Sequence, residues 1–250
     1  MIHRIKNLLS GKKGRFYKLC RSNNLTLDYR NNQTEIEILK DIFSDREYSD
    51  YFPFYEKATV VDIGAHYGYF SIFAAKNLNE RSTIISIEPN SGNFNHLQKN
   101  ISDSKIKNVQ CYNLALGDKK GTSKLYKGLN ANHSIVDSYV LSNKDKSFEE
   151  IEVKTFEELV NELKLEKIDF VKMDCEGAEY SIFNSTPDSV FGKISTISME
   201  FHDLKNEDFS ANLLLEKLTR NNFKIVKFHY QKTSMNLNYG KLIGTKIIDQ

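Results

Sequence analysis

The 250-residue chain has no tryptophan, three prolines and three cysteines. Cys20, Cys111 and Cys175 are odd in number and widely spaced, with no Cys-x-x-Cys pair, which argues against a disulfide framework and against a zinc site. That usage suits a reducing compartment. No window approaches the roughly 18 continuous apolar residues of a membrane span, and the first residues lack the apolar stretch and small-residue cleavage site of a signal peptide. A soluble, cytoplasmic protein is expected. There is no internal repeat and no Pro/Gly-rich linker, and the 40% hydrophobic content supports one ordinary globular core.

Acids are missing from the N-terminus. The first is Asp28, after seven cations at Arg4, Lys6, Lys12, Lys13, Arg15, Lys18 and Arg21, which leaves the remainder of a +2 chain at −5. Ile2, Ile5, Leu8 and Leu9 add a short helical stripe, compatible with peripheral docking on an anionic membrane surface or an acidic protein, and equally with a lightly packed, solvated extension. Nucleic acid is not expected, because the basic run lacks clustered aromatics and the rest of the chain is acidic. Residues 1–50 therefore read as a basic helical extension and 51–250 as the main domain.

Within that extension Thr34 and Glu37 have the spacing of a capping box, followed by Ile36, Leu39 and Phe43 at helical intervals. The domain then alternates: strand 59–63, helix 69–77, strand 83–88, helix 92–101, strand 108–113. Such alternation predicts a doubly wound, mostly parallel sheet. A polar insertion at 114–154 breaks the rhythm and is placed over a strand end as an acceptor loop. A second capping box, Thr155 with Glu158, restores it before strand 168–173. A helix at 177–183, strand 194–201, a helix around 213–220 and two apolar runs, 223–228 and 242–248, complete the pattern. The close spacing of the last two predicts an antiparallel pair at one sheet edge.

The segment Val60-Val61-Asp62-Ile63-Gly64-Ala65-His66-Tyr67-Gly68-Tyr69-Phe70 runs a buried strand through two glycines into an apolar helix. That builds a nucleotide-sized pocket at a strand end. The dinucleotide pattern Gly-x-Gly-x-x-Gly fails because position 66 is His, and Asp62 adds negative charge where a pyrophosphate would sit. A carboxylate there suits the cationic amine of a methionine moiety, with Gly64, Ala65 and Gly68 shaping the loop. Glu88, 26 residues after Asp62, stands where a strand-end acid binds both hydroxyls of a ribose. The pair points to S-adenosylmethionine rather than NAD. Asn113 or Asp118 would reach the adenine amine, although a turn at Gly117-Asp118 explains the same residues.

Asp169 to Glu179 packs further carboxylates around the end of another buried strand. Methylating a hydroxyl requires a positioned base, or a metal that acidifies the hydroxyl. Asp174 is the first base candidate, and Glu200 and His202, at the end of the next strand, supply a second. Asp174, Glu176, Glu200 and His202 would also suit a hard divalent cation, though metal-free acid/base work is the favoured reading. Structural roles compete: Asp174 as a helix cap, Glu179 paired with Lys172, Cys175 as packing.

Together these clusters resemble the FkbM family of S-adenosylmethionine-dependent methyltransferases. Asp62, Ile63, Gly64, Ala65, Gly68 and Tyr69 match its glycine loop, and Lys172, Met173, Asp174, Glu176, Gly177 and Glu179 match its acidic signature. Glu88-Pro89, Asn113 to Gly117 and Glu200-x-His202 follow in order, so the similarity spans roughly residues 55–205. The resemblance implies a seven-stranded class I methyltransferase (Rossmann-like) sheet with an antiparallel edge strand, and methylation of a hydroxyl oxygen on a sugar, glycolipid, polyketide or similar acceptor, releasing S-adenosylhomocysteine. Lys172, Asp174, Glu200 and His202 become the catalytic candidates. No Asn-Pro-Pro-aromatic or Asp-Pro-Pro-aromatic sequence is present, which argues against methylation of a base amine.

Overall fold

A computed structural model describes residues 11–23, 25–27, 33–126, 147–203, 210–231 and 238–247. The stripe Ile2 to Leu9, the Thr34 side chain and the insertion's middle, 127–146, lie outside them. The strands are β1 (Thr59–Ile63), β2 (Thr83–Ile87), β3 (Val109–Tyr112), β4 (Ala115–Leu116), β5 (Gly121–Tyr126), β6 (Phe148–Lys154), β7 (Ile168–Met173), β8 (Ile194–Asp203), β9 (Phe223–Gln231) and β10 (Asn238–Lys246). Seven form one sheet in the order β3-β2-β1-β7-β8-β10-β9, and β4-β6-β5 form a small second sheet from the insertion's flanks. All pairings in the large sheet are parallel except those of β10, which runs against both β8 and β9. The expected antiparallel pair thus sits at one edge, with β10 one place inside it.

Strand order reverses between β1 and β7, and a crevice opens there at the carboxyl ends of the strands. Two-residue alternation sorts the side chains onto two cores. Val61, Ile63, Val171, Met173 and Ile197 turn toward the helices Phe156–Glu162, Glu179–Ser185 and Ala211–Arg220. Val60, Ile84 and Phe170 turn the other way, onto Phe70, Ile72 and Phe73 of helix Tyr69–Asn77. The capping box forms as spaced: Thr155 Oγ1 accepts from the Glu158 amide at 3.1 Å, and Glu158 accepts from the Thr155 amide at 3.0 Å.

The N-terminal segment differs from a lightly packed extension over its described part. Helix Gly11–Ser22 buries Phe16 and Cys20, and helix Gln33–Phe43 buries Leu39 and Ile42 in the same cluster as β1. Tyr48 and Phe52 continue that cluster, each ring meeting Phe70 edge-on. The basic residues obscured this because the apolar positions between them are few. Among the described residues, no helix is long and apolar enough to cross a membrane.

Candidate active site

A cavity of about 320 Å³ occupies the crevice. The glycine loop forms its floor, and the physical role of each glycine is specific. Gly64 sits at φ +77°, where a Cβ would lie 1.8 Å from the Asp174 carbonyl oxygen, so only glycine lets the β1 and β7 ends pack together. Gly68, at φ +81°, opens helix Tyr69–Asn77 with Leu97 against it. The amides of Gly64 and Ala65 both donate to the Ile87 carbonyl, and that of Gly68 donates to Ala65. Those amides are therefore taken up by β2 and by the loop itself.

Glu88 lines the cavity and is 5% exposed. Its Oε2 accepts from the His66 amide at 2.8 Å and its Oε1 from the Asn90 amide at 2.9 Å. Burial raises its pKa to about 7 despite those amides. Three residues expected at the donor end stand outside the cavity's lining. Asp62 is wholly buried and does not line the cavity: it accepts from Ser71 Oγ at 2.6 Å and lies 3.4 Å from Lys172 Nζ. Asn113 is exposed and spends its amide on the carbonyls of Glu88 and Pro89, at 2.9 and 3.0 Å. Asp118 is exposed and outside the lining. Pro89, Ala115, Leu116 and Leu125 instead provide an apolar shelf beyond Glu88, of the kind a purine face requires.

Lys172 lines the cavity from β7. Its Nζ donates to the Gly64 carbonyl at 2.8 Å and faces Asp62, so it ties the glycine loop to β7. It pairs with Asp62, not Glu179. Burial opposes its charge, but Asp62 and Asp174 outweigh that and its pKa stays raised. The expected Asp174 cap is not seen either: helix Glu179–Ser185 opens at Ala178 without a side-chain cap.

The acceptor end is crowded with acids. One oxygen each of Asp174 and Glu200 and a ring nitrogen of His202 lie within 4.8 Å of one another. His202 Nδ1 is 3.2 Å from buried Glu179 Oε1, while Nε2 is 3.7 Å from Glu176 and 3.8 Å from Glu200. Burial disfavours the imidazolium, yet the charge and hydrogen bond of Glu179, with Glu176 and Asp174, push His202 up to about 10. Burial and the Asp174 charge push Glu200 up to about 8, so near neutrality it holds a proton and can donate a hydrogen bond to its neighbours. Burial pushes the Cys175 thiol well above its usual range, which makes it inert packing.

The sequence reading missed the opposite wall. Ile38, Asp41 and Ile42 of helix Gln33–Phe43, then Glu47, Tyr48 and Lys241, also line the cavity. Lys241 pairs with Glu47 and lies 3.7 Å from Glu200. Only the capping-box helix hinted that this segment packs on the domain.

Comparison with known proteins agrees with this architecture. Residues 62–225, more than half of the chain, match the family described as the methyltransferase FkbM domain. A protein named Methyltransferase 1, from Beauveria bassiana, is 27% identical over 204 residues, covering 73% of this chain and 80% of that protein. AMB antimetabolite synthetase AmbE of Pseudomonas aeruginosa is 23% identical over 231 residues, which cover 78% of this chain but 11% of that much longer protein. Among solved structures, an rRNA methylase from Streptococcus thermophilus superposes with a TM-score of 0.50 at 10% identity, covering 83% of this chain and 96% of that one, a likeness of fold alone.

Proposed function

The chain belongs to the FkbM family of S-adenosylmethionine-dependent methyltransferases, and we propose that it methylates a hydroxyl oxygen of a sugar-containing or related small-molecule acceptor. The observation that carries the proposal is one cavity running from buried Glu88 at one end to the Asp174 and Glu200 carboxyls at the other. The residues fit the donor. Glu88 would accept from the ribose hydroxyls, the Pro89–Ala115–Leu116 shelf would take the adenine, and the 64–67 loop with Tyr69 would enclose the amino-acid end.

When bound, the donor supplies a methyl group on a sulfonium, an electrophile that needs no further activation. The chain's own work is to align an acceptor oxygen, exclude water and take the proton. As the carbon–oxygen bond forms and the sulfur leaves with its electron pair, the hydroxyl proton would pass to Asp174, and the acids around it would favour the cationic donor. Tyr48, buried and against the Lys172 ammonium at 5.8 Å, closes the wall behind them.

The test is transfer of labelled methyl from S-adenosylmethionine to a panel of free sugars and glycosides. Product with Asp174 intact and none with Asp174→Asn, at unchanged S-adenosylhomocysteine affinity, supports hydroxyl transfer and removes a donor-binding module without turnover. A second reading is favoured by the closeness of Asp174, Glu200 and His202, whose ligand atoms suit a divalent metal. Residues of that set would hold the ion and it would acidify the hydroxyl. Full activity in chelator removes that reading.

A further inference from the structure

Beside the donor cavity lies a second one of about 480 Å³, and the two share Asp41, Glu47, Tyr48 and Lys241 as a common wall. It lies between the 45–50 segment and the strands β8, β9 and β10, where Ser198, Ile243 and Lys227 face it. Ser198 and Ile243 are register partners, while their neighbours Ile197 and Leu242 turn into the opposite core. The trough is thus built by the sheet itself and by a segment outside the glycine loop and the acidic turn.

Asp41, Asp45 and Arg46 line it together with two opposite pairs. Lys241 reaches Glu47, and Lys227 holds Asp50 at 2.7 Å. Such pairs present donors and acceptors side by side without demanding a net charge from the ligand. Adjacent hydroxyls on a sugar ring satisfy both at once, whereas an apolar ring would strip these groups of water and return nothing. We propose that this trough binds the carbohydrate ring of the acceptor, so that the reacting hydroxyl passes the Glu47–Lys241 pair to reach Asp174 and Glu200. This rests on the hydroxyl-transfer reading above and adds where the acceptor binds and what selects it.

The experiment is ligand-observed NMR on the full chain with saturating S-adenosylhomocysteine and millimolar methyl hexopyranosides, a readout that needs no turnover. Saturation transfer to at least one glycoside is expected. Ser198→Met, which fills the trough, should abolish it, and Lys227→Ala, at an exposed position that folding tolerates, should weaken binding several-fold. S-Adenosylhomocysteine affinity should stay at the wild-type value in both. No transfer to any glycoside in the wild type overturns the proposal, as does undiminished transfer in Lys227→Ala. Glycoside binding without methylation leaves the trough standing and sinks the hydroxyl-transfer reading. Methylation whose KM is unchanged in both variants does the reverse.

Discussion

The donor and acceptor ends of one cavity treat their carboxylates in opposite ways. At the donor end each acid has a private partner: Asp62 is held by Ser71 and Lys172, Glu88 by the amides of His66 and Asn90. At the acceptor end Asp174, Glu176, Glu179 and Glu200 crowd around one imidazole, with Lys241 the nearest further cation to Glu200. The first arrangement is preorganised to bind. The second stores unbalanced negative charge, which a cationic methyl donor relieves and which a proton leaving a hydroxyl can neutralise.

Removing a carboxylate at each end should break the contrast most sharply. Asp174→Asn should lower methyl transfer by about 10²–10⁴-fold, the usual worth of a positioned base, with calorimetric S-adenosylhomocysteine affinity unchanged. Loss of donor binding instead would show that the two ends are not separable. Next comes the joint between them. Gly64→Ala forces a Cβ onto the Asp174 carbonyl from a left-handed backbone, and thermal unfolding should report more than about 3 kcal/mol of lost stability.

Lys172→Met tests the claim that this lysine positions rather than reacts. It leaves Asp62 buried without its counter-charge, so about 3–5 kcal/mol of stability should go. Lys172→Met with Asp62→Asn should recover part of that, which a proton-transfer role for Lys172 would not predict.

The smallest effect is on pH dependence. Glu88 has its pKa raised from 4.5 to about 7 in the folded chain, so the folded state holds the proton more tightly. Its contribution to the ligand-free protein's stability is present below about 4.5 and is lost as pH rises toward 7. Ribose hydroxyls favour the ionised form. S-Adenosylhomocysteine affinity should therefore climb by up to about tenfold per pH unit below 7 and flatten above it. Glu88→Gln should bind tenfold or more weakly, an order-of-magnitude expectation of about 1.4 kcal/mol, and lose the slope.

The donor end was largely legible because it is local. Strand, glycine turn and helix lie within residues 60–70, and Glu88 follows one βα unit later, so spacing alone aligned them. What spacing did not reveal was direction. Asp62 lies in a strand whose alternate side chains face the N-terminal cluster, so its carboxylate meets Ser71 and Lys172; the amides of Gly64 and Ala65 were taken by Ile87. The acceptor end was legible only as a collection of residue types. Its geometry brings together positions 41, 47, 174, 200 and 241, which no short window contains.

Sequence by itself determined the alternating elements and the glycine turn, because each follows from periodicity and from residues close along the chain, and its two motifs carried the family resemblance. Tertiary structure alone decided that the N-terminal segment walls the cavity, that Lys172 braces the loop, and that His202 sits among several acids. Those outcomes depend on burial and on charges brought together from distant strands, and a carboxylate's partner is chosen by distance in space rather than by distance along the chain.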